Sequence, residues 1–120
     1  LLERAFPDLD EAAREPLLPR FLAAYAEALA VHTRPFPGIE ALLVDIEARG
    51  WFWGIVTNKP EGLARGVVEG LGWSIRSRAL VGGDTLPVRK PAPEPLWLAA
   101  DSLGVEPSVC LYVGDDARDI

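Results

Sequence analysis

Three short polar clusters carry the residue types in this sequence that could do chemistry. The first is Thr57-Asn58-Lys59-Pro60, directly after the apolar run 51–56. A hydroxyl at a strand end, followed by a helix opening at proline, presents an O–H and free backbone N–H groups to an anion. The plain alternative is an N-cap, since Thr and Asn often begin helices. The second is Lys90, set among Val88-Arg89-Lys90-Pro91-Ala92-Pro93-Glu94-Pro95. Prolines stiffen the backbone there, and a compact ammonium on such a loop could neutralise a phosphoryl oxygen or a carboxylate. Otherwise it is a solvated surface lysine. The third is Gly114-Asp115-Asp116-Ala117-Arg118-Asp119, after the apolar run 109–113. Adjacent carboxylates after a sharp glycine turn suit a hard, oxygen-seeking cation such as Mg²⁺, which takes one or two protein carboxylates and keeps places for water and phosphate. The alternative is a Gly-Asp turn with an Asp cap for the next helix.

Periodic elements must position these clusters. Leu18, Phe21, Leu22, Tyr25 and Leu29 follow 3–4 spacing and predict an amphipathic helix within 11–31, with Pro16 and Pro19 at its first turn or at a break before it. A proline-rich linker, 32–38, follows. Ile39, Leu42, Leu43 and Ile46 predict a helix stopped at Gly50; Leu63, Val67, Val68 and Leu71 predict one closed by Gly72; Leu96, Ala99, Ala100 and Leu103 predict one stopped by Gly104. The runs 51–56 and 109–113 suit strands buried on both faces of a parallel sheet, and 79–81 a short strand before the turn Gly82-Gly83-Asp84. Alternation from Gly38 onward implies an α/β fold with parallel strands flanked by helices. In such sheets ligands bind beyond the carboxyl ends of the strands, where the Thr57 and Asp115 clusters fall.

A chain of 120 residues supports one domain with one core. Its hydrophobic fraction of 49% and charged fraction of 25% are those of a soluble globular protein, and no apolar run could cross a bilayer. The net charge of −6 argues against nucleic acid as a partner, because phosphate-backbone binding needs clustered Lys and Arg. Cys110 is the only cysteine, so intrachain disulfides and thiolate metal cages are excluded. Within its apolar run it reads as a small buried hydrophobe. The expected compartment is cytoplasmic. Trp51, Trp53 and Trp73 read as packing residues and His32 as a linker residue.

The order apolar strand–Thr, then Lys-Pro, then apolar strand–Gly-Asp-Asp-x-x-Asp resembles the second, third and fourth motifs of the haloacid dehalogenase-like phosphatases. Thr33-Arg34-Pro35-Phe36-Pro37-Gly38, Val56-Thr57-Asn58-Lys59-Pro60 and Val113-Gly114-Asp115-Asp116 are similar to the phosphoglycolate phosphatase branch. The stretches 53–60 and 116–120 look particularly like the bacterial N-acetylmuramic acid 6-phosphate phosphatases. The resemblance implies a partial Rossmann-like core over 34–120 with motifs two to four, and a helical cap fragment over 1–33. It implies Mg²⁺-dependent hydrolysis of a small phosphorylated metabolite through a phospho-aspartate. Thr57, helped by Asn58, would bond a phosphoryl oxygen, and Lys90 would bridge nucleophile and phosphoryl group. Asp115 would bind Mg²⁺, with Asp116 and Asp119 orienting water or Lys90 around it. Arg34, near the hinge, is a candidate for a substrate carboxylate.

The family's first motif, Asp-x-Asp-x-Thr after a buried strand, departs from this sequence. Asp8-Leu9-Asp10 has its acid spacing, but polar surroundings make it a solvated loop and helix start. The resemblance therefore places the nucleophile strand before Leu1 and a closing strand and helix after Ile120. This stretch alone is expected to be inactive, with exposed sheet edges open to self-association. The alternatives are a non-catalytic or truncated module of the same fold, or N-acetylmuramic acid 6-phosphate as the specific substrate. A dehalogenase and a phosphoglucomutase fit the Gly114-Asp115-Asp116 cluster less well, and a receiver domain has its acids and lysine in the reverse order.

Overall fold

The computed structural model describes residues 2–120; Leu1, the first residue of the expected cap fragment, lies outside them. The described elements run α1 (Leu2–Ala5), α2 (Glu11–Arg14), α3 (Leu17–Glu27), α4 (Ile39–Ala48), β1 (Ile55–Val56), α5 (Glu61–Gly70), β2 (Leu80–Val81) and α6 (Glu94–Leu103). Two 3₁₀ turns follow, Pro107–Val109 and Ala117–Asp119. β1 and β2 pair in parallel, Ile55 opposite Leu80 and Val56 opposite Val81, with α5 as the crossover between them. Ladder bonds from Ile55 N–H to the Ala79 carbonyl (2.8 Å) and from Thr57 N–H to the Val81 carbonyl (2.9 Å) extend the pairing by a residue at either end.

The four long helices lie where apolar periodicity places them. The N-terminal pattern is broken at Pro16, between α2 and α3, and Asp10 caps α2 by accepting from Ala13 N–H at 2.8 Å. Asp8-Leu9-Asp10 is thus a loop and helix start. Gly50, Gly72 and Gly104 all take positive φ just beyond α4, α5 and α6, as αL stops require. The core lies between the sheet and α6, where Ala79, Val81 and Ala99 are buried and Val56, Leu98 and Leu103 pack against them. Outside this cluster, α5 contributes buried Ala64 and Val68, and α4 contributes Leu43.

Four expectations are corrected. The strand predicted over 51–56 is reduced to Ile55–Val56, and Trp51 and Phe52 are exposed rather than buried on both faces. A strand extends only as far as its neighbour pairs with it, and β2 is two residues long, ending at the Gly82-Gly83 turn. The run 109–113 forms no strand. Among the described residues no backbone hydrogen bond joins 111–115 to a sheet edge, and Leu111 and Val113 are 90% and 81% exposed. Cys110, expected to be buried within that run, is exposed for the same reason. Trp51 likewise packs little, whereas Trp53 and Trp73 meet edge to face with ring centroids 5.4 Å apart.

Candidate functional site

The exit end of β1 is built by close backbone approach. The turn after β2 passes directly over the loop after β1, and Gly83 N–H donates to the Lys59 carbonyl at 2.8 Å. A Cβ on Gly83 would strike the Asn58 carbonyl, so only glycine lets the two loops meet. The helix that follows is capped from a distance. Asp84 Oδ1 accepts from Glu61 N–H at 2.7 Å, and Thr85 Oγ1 donates to Glu61 Oε2 at 2.7 Å while accepting from Gly82 N–H at 2.8 Å. The Thr85 hydroxyl, with Arg65 beside it, holds the Glu61 carboxyl below its ordinary range.

This external cap leaves Thr57 and Asn58 for other work. Neither caps α5, whose N-cap is Pro60 with no side-chain bond. Thr57 Oγ1 accepts from Lys59 N–H at 3.1 Å, and among the described residues it makes no further bond, so its proton is available. Asn58 reaches across 32 residues of sequence to Lys90. Its Nδ2 donates to the Lys90 carbonyl at 3.0 Å and its Oδ1 accepts from Lys90 N–H at 3.1 Å. The amide thus satisfies both backbone groups of that residue, as a strand neighbour would.

Lys90 is not a solvated surface lysine. Its side chain is 12% exposed, and its Nζ donates to Asp119 Oδ1 at 2.6 Å and to the Tyr112 hydroxyl at 2.9 Å. Tyr112 in turn donates to Asp119 Oδ1 at 2.8 Å. Burial opposes the charge on Lys90, but the bonds to Asp119 and Tyr112 outweigh it and raise its pKa. The Asp119 side chain is 8% exposed. The Lys90 ammonium, the Asp116 backbone N–H and the Tyr112 hydroxyl hold its carboxyl far below the usual carboxylate range. Burial raises the Tyr112 phenol, and Asp119 reinforces the shift against Lys90.

Asp116 caps the last 3₁₀ turn, accepting from Arg118 N–H at 3.0 Å, while Asp119 Oδ2 accepts from Asp116 N–H at 2.9 Å to close a reciprocal box. The cap reading of this cluster is therefore realised at Asp116, whose pKa is lowered by the Arg118 backbone and by its guanidinium at 2.8 Å. Gly114 lies directly under the Asp119 carboxylate, where a Cβ would collide. Asp115 is exposed, with no hydrogen bond or ion pair among the described residues.

The structure thus brings Asn58, Lys90 and Asp119 together, with Thr57 adjoining them on the same loop. Arg34 lies exposed in the linker and touches none of them through a hydrogen bond or ion pair. Tyr112 belongs to the site, although in sequence it reads as part of the apolar run 109–113. Its hydroxyl, two residues before Gly114, was the available signal. From sequence Asp84 reads only as a turn residue and Tyr25 only as part of a helical stripe, and Thr85 carries no signal, because each acts across a contact between distant segments.

Among the described residues no group of three His, Cys, Asp or Glu side chains could hold a metal ion. One unpaired carboxylate, Asp115, next to two engaged ones fits a single-ligand contribution to a Mg²⁺ site. Such a site draws on water and substrate phosphate for its other oxygens.

The family model of the haloacid dehalogenase-like hydrolases matches residues 1–120. A phosphoglycolate phosphatase of Xylella fastidiosa (strain Temecula1) is 53% identical over 97% of this chain and 51% of its own length. An N-acetylmuramic acid 6-phosphate phosphatase of Pseudomonas aeruginosa is 49% identical over 93% of this chain and 50% of its own length. The crystal structure of a predicted phosphoglycolate phosphatase from Haemophilus somnus superposes with a TM-score of 0.82 at 29% identity, covering 98% of this chain and 52% of that one. The chain spans about half the length of the curated relatives it matches.

Proposed function

The chain belongs to the haloacid dehalogenase-like hydrolases, and we propose that the whole protein hydrolyses a small phosphate monoester, with Thr57, Asn58, Lys90 and Asp115 as its site residues in this chain. One observation carries the reading: Asn58 clamps the backbone of Lys90 while Asp119 and Tyr112 aim its ammonium, at the end of β1 where Thr57 holds an unused hydroxyl proton. Fixed cationic and hydroxyl donors of this kind suit a phosphoryl group, whose transfer depends mainly on positioning and charge neutralisation.

In this reading Thr57 donates its hydroxyl to one phosphoryl oxygen and Lys90 neutralises another. Asp119 and Tyr112 orient Lys90 and keep it protonated, and Asn58 fixes the loop that carries it. Asp116 shapes the turn that presents Asp115. Mg²⁺, held in part by Asp115, would supply positive charge to the phosphate. The attacking group is an aspartate that forms a phospho-aspartate, following the family resemblance, and it is assigned to no residue of this chain. In this reading 1–33 belongs to a helical cap fragment and 34–120 to a partial core.

Phosphate release by the whole protein from 2-phosphoglycolate and from N-acetylmuramic acid 6-phosphate, with and without Mg²⁺, tests this. The 53% identical relative favours the first substrate and the 49% identical one the second. Release from at least one, abolished by chelation and restored by Mg²⁺, is expected. No release from any phosphate ester would leave the non-catalytic reading standing.

A further inference from the structure

Lys59 differs from the other cations of the site. Its backbone is held on both sides, by the bond from its N–H to Thr57 Oγ1 (3.1 Å) and by Gly83 N–H on its carbonyl (2.8 Å). Its ammonium turns to α3, donating to the Tyr25 hydroxyl and lying 4.1 Å from the centroid of that ring. Phe21 stacks on Tyr25, with centroids 6.1 Å apart and planes inclined by 23°, which steadies the ring.

The chain carries 18 acidic residues against 12 Lys and Arg, yet none of the ion pairs among the described residues includes Lys59. A tyrosine face attracts a cation without neutralising it. An ammonium has three donors, and Tyr25 accepts from one of them. Two N–H groups of a half-buried cation therefore remain, two residues from Thr57. The Tyr25 hydroxyl keeps its own proton to donate beside them. Two ammonium donors and a phenol match the two oxygens of a carboxylate.

We propose that Lys59, positioned by Tyr25, binds a carboxylate on the same small phosphate ester whose phosphoryl group meets Thr57 and Lys90. The inference rests on the phosphatase reading above and goes beyond it by naming a second anionic group on the substrate and the residue that reads it. Arg34, the candidate for this role from sequence, stands exposed in the linker and makes no hydrogen bond or ion pair with the site loops among the described residues.

The test is a ratio measured in the whole protein: kcat/KM for 2-phosphoglycolate over kcat/KM for phenyl phosphate, which has no carboxylate. Lys59→Gln is expected to lower the ratio about tenfold or more, the value of a hydrogen bond to a charged group. Lys59→Arg should keep it within about threefold, because the charge is retained. Tyr25→Phe should lower it about threefold or more, through KM rather than kcat, since it removes the hydroxyl that aims the ammonium and donates to the carboxylate while the charge stays. Equal losses on both esters, leaving the ratio unchanged, overturn the assignment of Lys59 while the phosphatase reading stands. A wild-type protein that hydrolyses neither ester overturns that reading and this one with it. Should Lys59→Gln fail to fold by circular dichroism, the Tyr25→Phe ratio decides, an unchanged ratio counting against the proposal.

Discussion

The two ends of β1 hold clusters made from the same ingredients. At the entering end Arg76 lies between Glu40 and Glu47, which it meets through Nη1 and, at 2.8 Å, through Nε. Each glutamate also accepts from an indole: Glu47 from Trp53 at 2.9 Å and Glu40 from Trp73 at 3.1 Å. At the exit end Lys90 meets Asp119 and Tyr112. The difference lies in the carboxylates. Around Arg76 both acids are bonded from two sides, and the cluster ties α4 to the segment before β2. Around Lys90 one acid of three, Asp115, has no partner among the described residues, and one hydroxyl proton, on Thr57, is unused there. A cluster whose acids are all engaged holds elements together, although one guanidinium nitrogen of Arg76, Nη2, is buried without a partner among the described residues. One that keeps an acid free, built on loops from three distant segments, is what a ligand can complete.

The sharpest way to break this comparison is to remove each cation. Lys90→Met in the whole protein is expected to lower phosphatase kcat by about 10²–10³-fold, the usual loss when one preorganised charge-stabilising donor is removed. Its far-ultraviolet circular dichroism should be retained. Arg76→Met should do the opposite, lowering Tm by several degrees with kcat/KM within about threefold of wild type, since surface-side ion pairs serve structure rather than chemistry. Equal activity losses from both would dissolve the distinction.

A smaller effect separates the residues that support each cation. Asn58→Leu removes both bonds to the Lys90 backbone, which at about 0.5–1.5 kcal/mol each makes a loss of roughly 1–3 kcal/mol in urea unfolding. Activity should fall with it, because the lysine loses its fixed loop. Trp53→Phe removes one indole donor from Glu47, for about 0.5–1.5 kcal/mol, and should leave activity near wild type. An Asn58→Leu protein with normal turnover would mean that the clamp is only structural.

Legibility in the sequence followed the range of the interaction. α3, α4, α5 and α6 and their glycine stops were readable because 3–4 spacing and αL ends are local signals. The parallel pairing of β1 with β2 was readable from alternation. Strand length was not, because Trp51 and Phe52 are apolar whether or not a neighbour pairs with them, and the same holds for Leu111 and Val113. In the site, Thr57, Asn58, Lys90 and the three aspartates stood out by type and spacing. Their partners did not: that Asn58 reaches Lys90, that Asp119 rather than Asp116 meets it, and that Tyr112 completes the group are facts of 29- to 32-residue closures for two of these pairs. Gly83 and Gly114 read as turn residues, and their close contacts with Asn58 and Asp119 emerge only in three dimensions.

The subtlest difference between the two ends is expected in acid. Asp119, held down first by the Lys90 ammonium, and Glu47, held down first by Arg76 and then by the Trp53 indole, both have folded-state pKa values below their unfolded ones. A lowered folded-state pKa contributes stability that is fully present above the unfolded value, about 4 for a carboxyl, and is lost as pH falls through the folded value. The difference in unfolding free energy between wild type and Asp119→Asn should therefore be largest at pH 6 and shrink below about pH 4. Glu47→Gln should show the same sign. Since Glu40, Glu61 and Asp116 are also lowered and share the acid limb, the wild-type slope cannot be read alone. The deeper shift at Asp119 predicts that its contribution persists to lower pH than that of Glu47. Only Asp119→Asn should also reduce turnover at neutral pH, because it replaces the carboxylate that holds the Lys90 ammonium with a neutral amide oxygen. Urea midpoints at pH 3 to 6 for the three proteins, beside kcat at pH 7, measure both. Identical pH slopes for wild type and Asp119→Asn would mean that the Lys90–Asp119 contact holds no charge in place, and the exit end would then be no better organised for an anion than its counterpart.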